Sequence, residues 1–382
     1  MIALGALNKL PVEAFTETLG AIFEYSPWVA SRAAASRPFD SRLDLLDAMR
    51  AVVRDAPIED QLNLIRAHPP LGARGRKRQE LTEASSREQR RAGLDACSDD
   101  EFAELMRLNA AYVRKFEFPF ILAVRGHDPE SILASMRGRL DNTLEQERHT
   151  ALTQIGLIGG YRLADTVVSS PSAEVRAMYA RVTAHSANAS LPREWMLAAG
   201  LDVRAGMGST PIGTPTSQPP NGYLAFGAYF DTTTRAPRRD GSLGTLLGVA
   251  IAQDLRLKQR PTRYGLLVFP FPEGGPQGSI FLGTAASGTI RDSIALSVPE
   301  IDSLISVHAA GITERCVLIC SPAPVPSGES AQGDSTTTTH HDGANVIRRD
   351  TLESLNGSIA LERAIATLED FLTQPGDLGA TR

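Results

Sequence analysis

The sequence predicts two domains of different class, an all-α helical bundle followed by an α/β domain. Apolar residues recur at helical spacing over residues 1–167, and no alternating strand pattern competes with them. Further along, apolar strand-like stretches alternate with helical ones, which is typical of an α/β layer with a mostly parallel sheet. A chain of 382 residues is long enough to give each domain its own core.

Start and stop residues place the helices of the first domain. Pro11 is a favourable first-turn residue, and Pro69-Pro70 must end a short helix. Ser98 and Glu101 form a capping box that begins another helix. A last helical stretch is expected over about 129–165, with Gly159-Gly160 as a weak point. The apolar positions of the earlier helices are Phe15, Leu19, Ile22 and Phe23; Leu43, Leu46, Met49, Val52 and Val53; Leu62 and Ile65; and Phe102, Leu105, Met106 and Leu108.

The second domain is expected over residues 174–382, after a linker at 168–173. Its sequence predicts strands at 222–230, 263–271 and 315–320, and helices at 243–257 and 352–372. A tract rich in proline, serine, threonine and glycine predicts a flexible loop at 321–345.

Composition excludes several classes of partner. The net charge of −5 leaves no basic footprint for nucleic acid, and no apolar stretch is long enough to cross a membrane. The N-terminus lacks the basic and apolar regions of a signal peptide, and three cysteines form neither a disulfide framework nor a zinc spacing. The expected location is therefore the cytoplasm, with a small molecule as the partner and a homodimer as one possible assembly.

His68 is a candidate proton donor. It follows a helix and precedes two prolines that fix its backbone. A histidine at a helix C-terminus has its protonated form favoured by the helix dipole, and its ordinary pKa allows proton donation near neutrality. A surface histidine that caps the helix is an equally good interpretation of the position alone.

Two further runs allow both a chemical and a structural interpretation. Ser85, Glu88 and Gln89 are spaced to share one helix face, yet Ser85 and Glu88 also form a capping box, and the two roles are compatible. The apolar run at 116–124 offers backbone groups to a ligand, although a buried connector explains it as well.

Several short motifs follow one another in the first domain. They are His68-Pro69, Ser85-x-x-Glu88-Gln89, Ala92-Gly93-Leu94, Leu108-Asn109-x-x-Tyr112 and Phe118-Pro119-Phe120. On these motifs the domain resembles the 2-oxo-4-hydroxy-4-carboxy-5-ureidoimidazoline (OHCU) decarboxylases of uric acid breakdown. The resemblance covers about 165 residues in order, and the 23–28 and 155–163 runs are similar to the family's early and late segments.

The resemblance implies a reaction and a set of roles. The family decarboxylates OHCU to (S)-allantoin without a cofactor, because the ring carbonyl of the substrate can take the electrons released with carbon dioxide. His68 would be the proton donor and Glu88 its catalytic partner. The substrate would be held by the remaining site residues, which are Pro69, Ser85, Gln89, Arg162 and the backbone of Phe120, Ile121, Leu122, Ala123 and Val124.

Two positions depart from the family pattern. Pro70 stands where the family usually has aspartate, which removes an acceptor next to His68. Glu117 stands where the family has glycine, which adds a charge and a side chain beside the binding segment. Both changes are expected to affect rate and affinity rather than reaction type.

Four runs follow one another in the second domain, at 195–204, 227–232, 239–244 and 271–274. On these runs the domain resembles the M20-type binuclear metal amidohydrolases, specifically their allantoate amidohydrolase and carbamoylase branch. Tyr229 stands where that family has a histidine ligand, and Pro272 replaces the glutamate that serves as general base. Asp240 and Glu273 survive as vestigial metal ligands, but two carboxylates without placed nitrogen ligands make a poor metal site. The family's lid domain also does not fit in the remaining length. The sequence therefore predicts a non-catalytic relic that holds no metal.

Three functions compete. The leading hypothesis is an OHCU decarboxylase fused to a pseudo-amidohydrolase domain. The runner-up is a binuclear metal hydrolase acting on allantoate or a related ureide, and the third is a non-catalytic assembly module.

Overall fold

The computed structural model describes residues 1–72, 97–184, 191–205, 211–214, 223–229, 243–260, 262, 265–271 and 318–319, with Glu362, Ile365, Ala366, Glu369 and Thr373. The chain separates into two compact units, Met1–Ser169 and Ser170–Arg382. No helix in these described ranges is long and apolar enough to cross a membrane.

The first unit is built from helices. Their bounds are α1 Leu4–Leu7, α2 Val12–Leu19, α3 Pro27–Ala33 with a 3-10 turn at Ala34–Ser36, α4 Arg42–Arg54, α5 Ile58–Arg66, α6 Asp99–Phe116, α7 Pro129–Arg139 and α8 Leu144–Thr166. The long helix α8 packs against α4 and α5, and α3 packs against both α2 and α4. The helical prediction for this part of the chain is confirmed over the described residues.

Side-chain caps fix where several of these helices begin. In each capping box the side chain of the N-cap residue accepts a hydrogen bond from the backbone N–H three residues on. The side chain of that later residue accepts one from the N-cap backbone N–H, so two N–H groups without a partner in the helix are satisfied. The boxes are Ser41 with Asp44, Ser98 with Glu101, Asp128 with Ser131, and Thr143 with Gln146. The box predicted at Ser98 and Glu101 is thus confirmed.

The structure differs from two helix predictions. The expected stretch over 129–165 is divided at 140–143, where the Thr143 cap restarts the helix, whereas Gly159 and Gly160 lie inside α8. Helix α2 ends at Leu19, so Ile22 and Phe23 lie beyond it, although both are buried in the core. Apolar spacing located the buried residues correctly but not the helix end.

A short parallel pairing modifies the all-α prediction. Strand β1, Ile2–Ala3, pairs with β2, Val167–Val168. A helix of the second unit already begins at Pro171. The linker predicted at 168–173 is therefore largely occupied by regular structure, and only Ser169 and Ser170 lie between the two elements.

The second unit has a mixed sheet flanked by helices. Its described elements are α9 Pro171–Ala184, α10 Leu191–Ala198, β3 Asp202–Ala205, β4 Pro211–Thr214, β5 Tyr223–Tyr229, α11 Leu243–Leu257, β6 Gly265–Phe271 and β7 Leu318–Ile319. The strand order is β3-β4-β6-β5-β7. The strands predicted at 222–230 and 263–271 and the helix predicted at 243–257 are present.

The sheet combines two pairing modes. Strand β5 is parallel to β6 and β7, whereas β4 is antiparallel to both β3 and β6. Parallel strands need a long connection, and β5 and β6 are joined through the helix α11. Strands β3 and β4 are separated by only five residues in the sequence, which suits an antiparallel pair. The described sheet is thus mixed, and the prediction of a mostly parallel sheet was too strong.

Candidate active site

His68 lies just beyond the C-terminal end of α5. The helix ends at Arg66, and the His68 backbone N–H still donates to the Ile65 carbonyl at 3.1 Å. The imidazole turns back on the helix, and its Nδ1 lies 2.9 Å from the Leu64 carbonyl oxygen. Because a carbonyl can only accept, Nδ1 carries the hydrogen, and the lone pair of neutral His68 is on Nε2. The local sequence thereby fixes both the tautomer and the ring direction.

The His68 side chain is buried. The residue is only 5% exposed, so the interpretation as a surface cap is wrong. Its Nε2 is also buried, and no hydrogen-bond partner for that atom is present in the described part of the chain. Burial lowers the pKa of His68 from 6.5 to about 4, which outweighs the raising effects of the Leu64 carbonyl and the nearby Glu24. In the ligand-free protein His68 is therefore neutral at physiological pH, contrary to the expectation that the helix dipole favours its protonated form.

Arg162 is brought close to His68 by helix α8. It is 7% exposed and forms a buried ion pair through Nη1 with Oε2 of Glu24, which is 1% exposed. The same Nη1 also donates to the Ala21 carbonyl at 3.4 Å. The positive charge of Arg162 helps to lower the pKa of His68. The structure thus places two of the predicted site residues, His68 and Arg162, within electrostatic reach of each other.

Glu24 was not predicted as a functional residue. A signal for it exists in the sequence, because it is an isolated carboxylate directly after the apolar pair Ile22-Phe23. A buried charge at such a position is rare unless it is paired. Its partner lies 138 residues away along the chain, so spacing alone could not identify it.

Residues 118–124, which include the predicted binding residues 120–124, are largely buried and are held by neighbouring helices. Arg139 donates from Nη1 to the Ile121 carbonyl at 2.7 Å, and its guanidinium lies 4.4 Å from the centroid of the Phe120 ring. The Ala123 N–H donates to Gln154 Oε1 at 2.9 Å. The Ala123 N–H is therefore used within the protein, whereas the Ile121 carbonyl oxygen keeps a second lone pair.

A buried carboxylate anchors this arrangement. Glu147 is fully buried and accepts hydrogen bonds from the Tyr112 hydroxyl, from Arg139 Nε at 2.9 Å and from Asn142 Nδ2 at 2.6 Å. Burial, together with the bond to Glu147, raises the pKa of Tyr112, so its hydroxyl stays protonated and keeps donating. Sequence reasoning missed Glu147, which has the position of an ordinary first-turn glutamate of α8.

The Leu-Asn-x-x-Tyr run now has a physical explanation. Asn109 donates from Nδ2 to the Leu71 carbonyl at 3.1 Å, which ties α6 to the chain just after His68 and the two prolines. Tyr112, one helical turn later, reaches Glu147. Both side chains support the site without being candidates for the reaction itself.

Several predicted residues lie outside the described part of the chain. These are Ser85, Glu88, Gln89, Asp240, Pro272 and Glu273, together with the loop at 321–345. Within the described residues, no group of three or more histidine, cysteine, aspartate or glutamate side chains is placed to hold a metal ion.

A neutral imidazole with a buried, available nitrogen beside an ion-paired arginine is an arrangement suited to proton transfer on an anionic ligand. Over residues 8–164 the chain matches the protein family described as OHCU decarboxylase. It is 43% identical over 164 residues to the 2-oxo-4-hydroxy-4-carboxy-5-ureidoimidazoline decarboxylase of Haloferax volcanii, covering 43% of this chain and 95% of that protein.

Other relatives match a similar share of the chain. The chain is 39% identical over 176 residues to the uric acid degradation bifunctional protein PucL of Bacillus subtilis, covering 46% of this chain and 35% of that protein. A crystal structure of (S)-allantoin synthase is 30% identical, with a TM-score of 0.36 and coverage of 44% of this chain and 55% of that one. The chain belongs to the OHCU decarboxylase family through its first unit.

Proposed function

We infer that the first unit decarboxylates OHCU to allantoin in uric acid degradation, as a carboxy-lyase. The family match and the high identity to a relative covered almost completely support this reaction. In the structure, the observation that carries it is the buried His68 ring, with Nδ1 anchored on Leu64 and Nε2 without a hydrogen-bond partner in the described part of the chain. A buried polar atom without a partner is costly, which supports a role in binding or catalysis.

We propose that Arg162 binds the substrate carboxylate. Loss of carbon dioxide leaves the bonding electron pair in the substrate's own ring, so the reaction needs only orientation, charge stabilisation and a proton. A charged guanidinium matches a carboxylate in geometry and charge. A cofactor is not required for any of these steps.

His68 is proposed to handle the proton through Nε2. Its low pKa makes it neutral before substrate binds, and the arrival of an anionic ligand favours the charged imidazolium. His68 can then accept a proton and deliver it to one face of the ring. Delivery from one side only gives (S)-allantoin, while proton donation from bulk water gives both enantiomers.

The remaining roles come from the resemblance. Glu88 is proposed as the catalytic partner of His68. Pro69, Ser85, Gln89 and the backbone of the 120–124 segment are proposed to hold the ureidoimidazoline. Along the chain, Pro69 precedes α6 and the 120–124 segment follows it.

The test is a His68→Gln variant assayed on freshly generated urate-oxidation product, with circular dichroism following the enantiomer formed. General acid–base groups contribute about 10²- to 10⁴-fold, so the rate should fall by at least about 10²-fold and the product should approach a racemate. His149→Gln, at an exposed histidine of α8, is the matched control and should behave as wild type. An unchanged rate and enantiomeric bias in His68→Gln would refute the assignment.

We propose further that the second unit is a non-catalytic relic of an M20-type amidohydrolase. Tyr229 at the end of β5 in place of a histidine ligand supports this proposal, as does Pro272 in place of the general base. Metal analysis of the purified full chain is expected to find no stoichiometric zinc or manganese, and allantoate should release no ammonia. Bound metal together with ammonia release would instead favour the metal hydrolase.

A cytoplasmic location and a homodimer are proposed from the sequence only. Sedimentation analysis of the full chain tests the second, because a concentration-independent monomer would contradict it. The same sedimentation analysis also tests the assembly-module hypothesis, because that hypothesis requires the chain to associate with itself or with a partner.

A further inference from the structure

Glu24 is a buried carboxylate that has no role in the proposed reaction. It lies between Phe23 and Tyr25 in the turn that joins α2 to α3, and it is 1% exposed. Removing one partner of a buried ion pair is strongly destabilising, while apolar replacements of a whole pair are often tolerated. Stability alone is therefore a weak reason for a carboxylate here.

The surrounding structure aims Glu24 at Arg162. Phe23 packs on Gly159 of α8, and Arg162 is three residues further along that helix, on the same face. Tyr25 adopts a φ of 48°, in the left-handed region that costs a non-glycine residue energy. Backbone strain of this kind is found preferentially at functional sites, where the surrounding structure enforces it.

Glu24 and Arg162 act on His68 in opposite directions. The negative charge of Glu24 raises the pKa of His68 and the positive charge of Arg162 lowers it. Within the described ranges, these are the two charged side chains that shift this imidazole, Glu24 from the α2–α3 turn and Arg162 from α8. The ion pair therefore sets both the position of the arginine and the proton affinity of the histidine.

We propose that Glu24 is a positioning residue of the decarboxylase. By binding Arg162 at Nη1, it fixes the guanidinium beside His68 so that the arginine can receive the substrate carboxylate. Its negative charge also compensates the positive charge of Arg162 next to His68. The proposal rests on the proposed function of the first unit. Without Glu24, the buried guanidinium loses its anchor, and His68 meets an uncompensated positive charge.

The first experiment is a histidine titration by NMR in the ligand-free full chain. Glu24→Gln should lower the pKa of His68 further, and Arg162→Gln should raise it. Glu24→Asp, which keeps the charge, should restore the wild-type value in part. Glu104→Gln removes the carboxylate of an exposed pair with Arg137 and is expected to leave His68 unchanged.

The second experiment separates binding from chemistry in the folded variants. Glu24→Gln should raise KM for OHCU by about tenfold or more, the effect of losing about 1.4 kcal/mol of binding. Glu24→Asp should recover part of that loss. The low-pH limb of the kcat/KM profile should move in the same direction as the NMR value.

Three results would decide against the proposal. One is a Glu24→Gln protein whose His68 titration matches wild type, and another is an unchanged KM per folded molecule. The third is a uniform loss of folded protein with normal kinetics in the remainder, which is what a structural role produces. A wild-type chain without turnover would overturn the proposed function itself, while the titration would still decide whether Glu24 sets the proton affinity of His68.

Discussion

Gly159 and Phe23 are in a contact that leaves no space for a side chain at the glycine. A Cβ at Gly159 would lie 3.0 Å from Phe23 Cε2 and 3.1 Å from Cζ. The aromatic ring therefore rests directly on the backbone of α8. This close approach brings the next residue, Glu24, to Arg162.

Gly159→Ala is expected to destabilise the protein and disturb the site. The added methyl group must displace the Phe23 ring, and overpacking of this kind costs about 1–3 kcal/mol. Because Glu24 follows Phe23, the KM for OHCU should rise as well. Urea unfolding and steady-state kinetics measure the two effects.

A matched glycine on another helix provides the control. A Cβ at Gly138 of α7 would meet nothing within 4 Å, so Gly138→Ala should gain up to about 1 kcal/mol from helix propensity. Equal effects of the two substitutions would contradict the packing explanation.

These glycines show where sequence reasoning reached its limit. A glycine pair in a helical pattern predicts a weak point when only propensity is considered. In the structure, Gly156, Gly159 and Gly160 lie beside Arg50, Phe23 and Leu46, which are remote in the chain. Tertiary contacts of this kind carry no local signal.

The sequence predicted a structural feature correctly where all the residues that determine it lie in one short segment. The capping box at Ser98 and the helix at Leu243–Leu257 were predicted with correct starts. His68 was correctly expected after a helix, but its burial depends on distant elements. The sequence therefore located the histidine and misjudged its protonation state.

Glu117 shows how a departure from the family pattern has a backbone consequence. It is the C-cap of α6, with a φ of 61° and a ψ of 22°. Glycine adopts this left-handed conformation at little cost, while other residues lose about 1–2 kcal/mol. Glu117→Gly is therefore expected to stabilise the protein by about 1 kcal/mol in urea unfolding.

The comparison with Glu117→Ala separates charge from backbone strain. Alanine removes the carboxylate but keeps the strained conformation, so it should give little or no gain. If both variants stabilise equally, the charge beside the 118–124 segment is responsible and the strain argument is wrong.

His68 should make stability depend on pH. Its pKa is about 4 in the folded protein and 6.5 ordinarily, so between these values the unfolded chain binds more protons. Its contribution to stability is fully present above pH 6.5 and is lost as the pH falls towards 4, with a slope of up to about 1.4 kcal/mol per pH unit.

Urea unfolding at a series of pH values between 7 and 4.5 measures this contribution. The difference between wild type and His68→Gln isolates it, because other titrating groups are common to both. His149→Gln, at an exposed position, should keep the wild-type slope. Parallel profiles for wild type and His68→Gln would show that His68 is not buried in its neutral form.

Glu147 is expected to control both stability and the order of the 118–124 segment. In Glu147→Gln the guanidinium of Arg139, whose side chain is 13% exposed, loses its counter-charge, and breaking a buried pair typically costs about 3–5 kcal/mol. Arg139 also donates to the Ile121 carbonyl. Amide hydrogen exchange in residues 118–124 should therefore be faster in the variant than in wild type, while exchange in α4 should change less. The control is Glu104→Gln, which breaks a largely solvated pair with Arg137 and should cost much less stability than Glu147→Gln. A similar loss of stability in the two variants, or unchanged exchange in residues 118–124, would mean that the hydrogen bonds of Glu147 do not hold these residues in place.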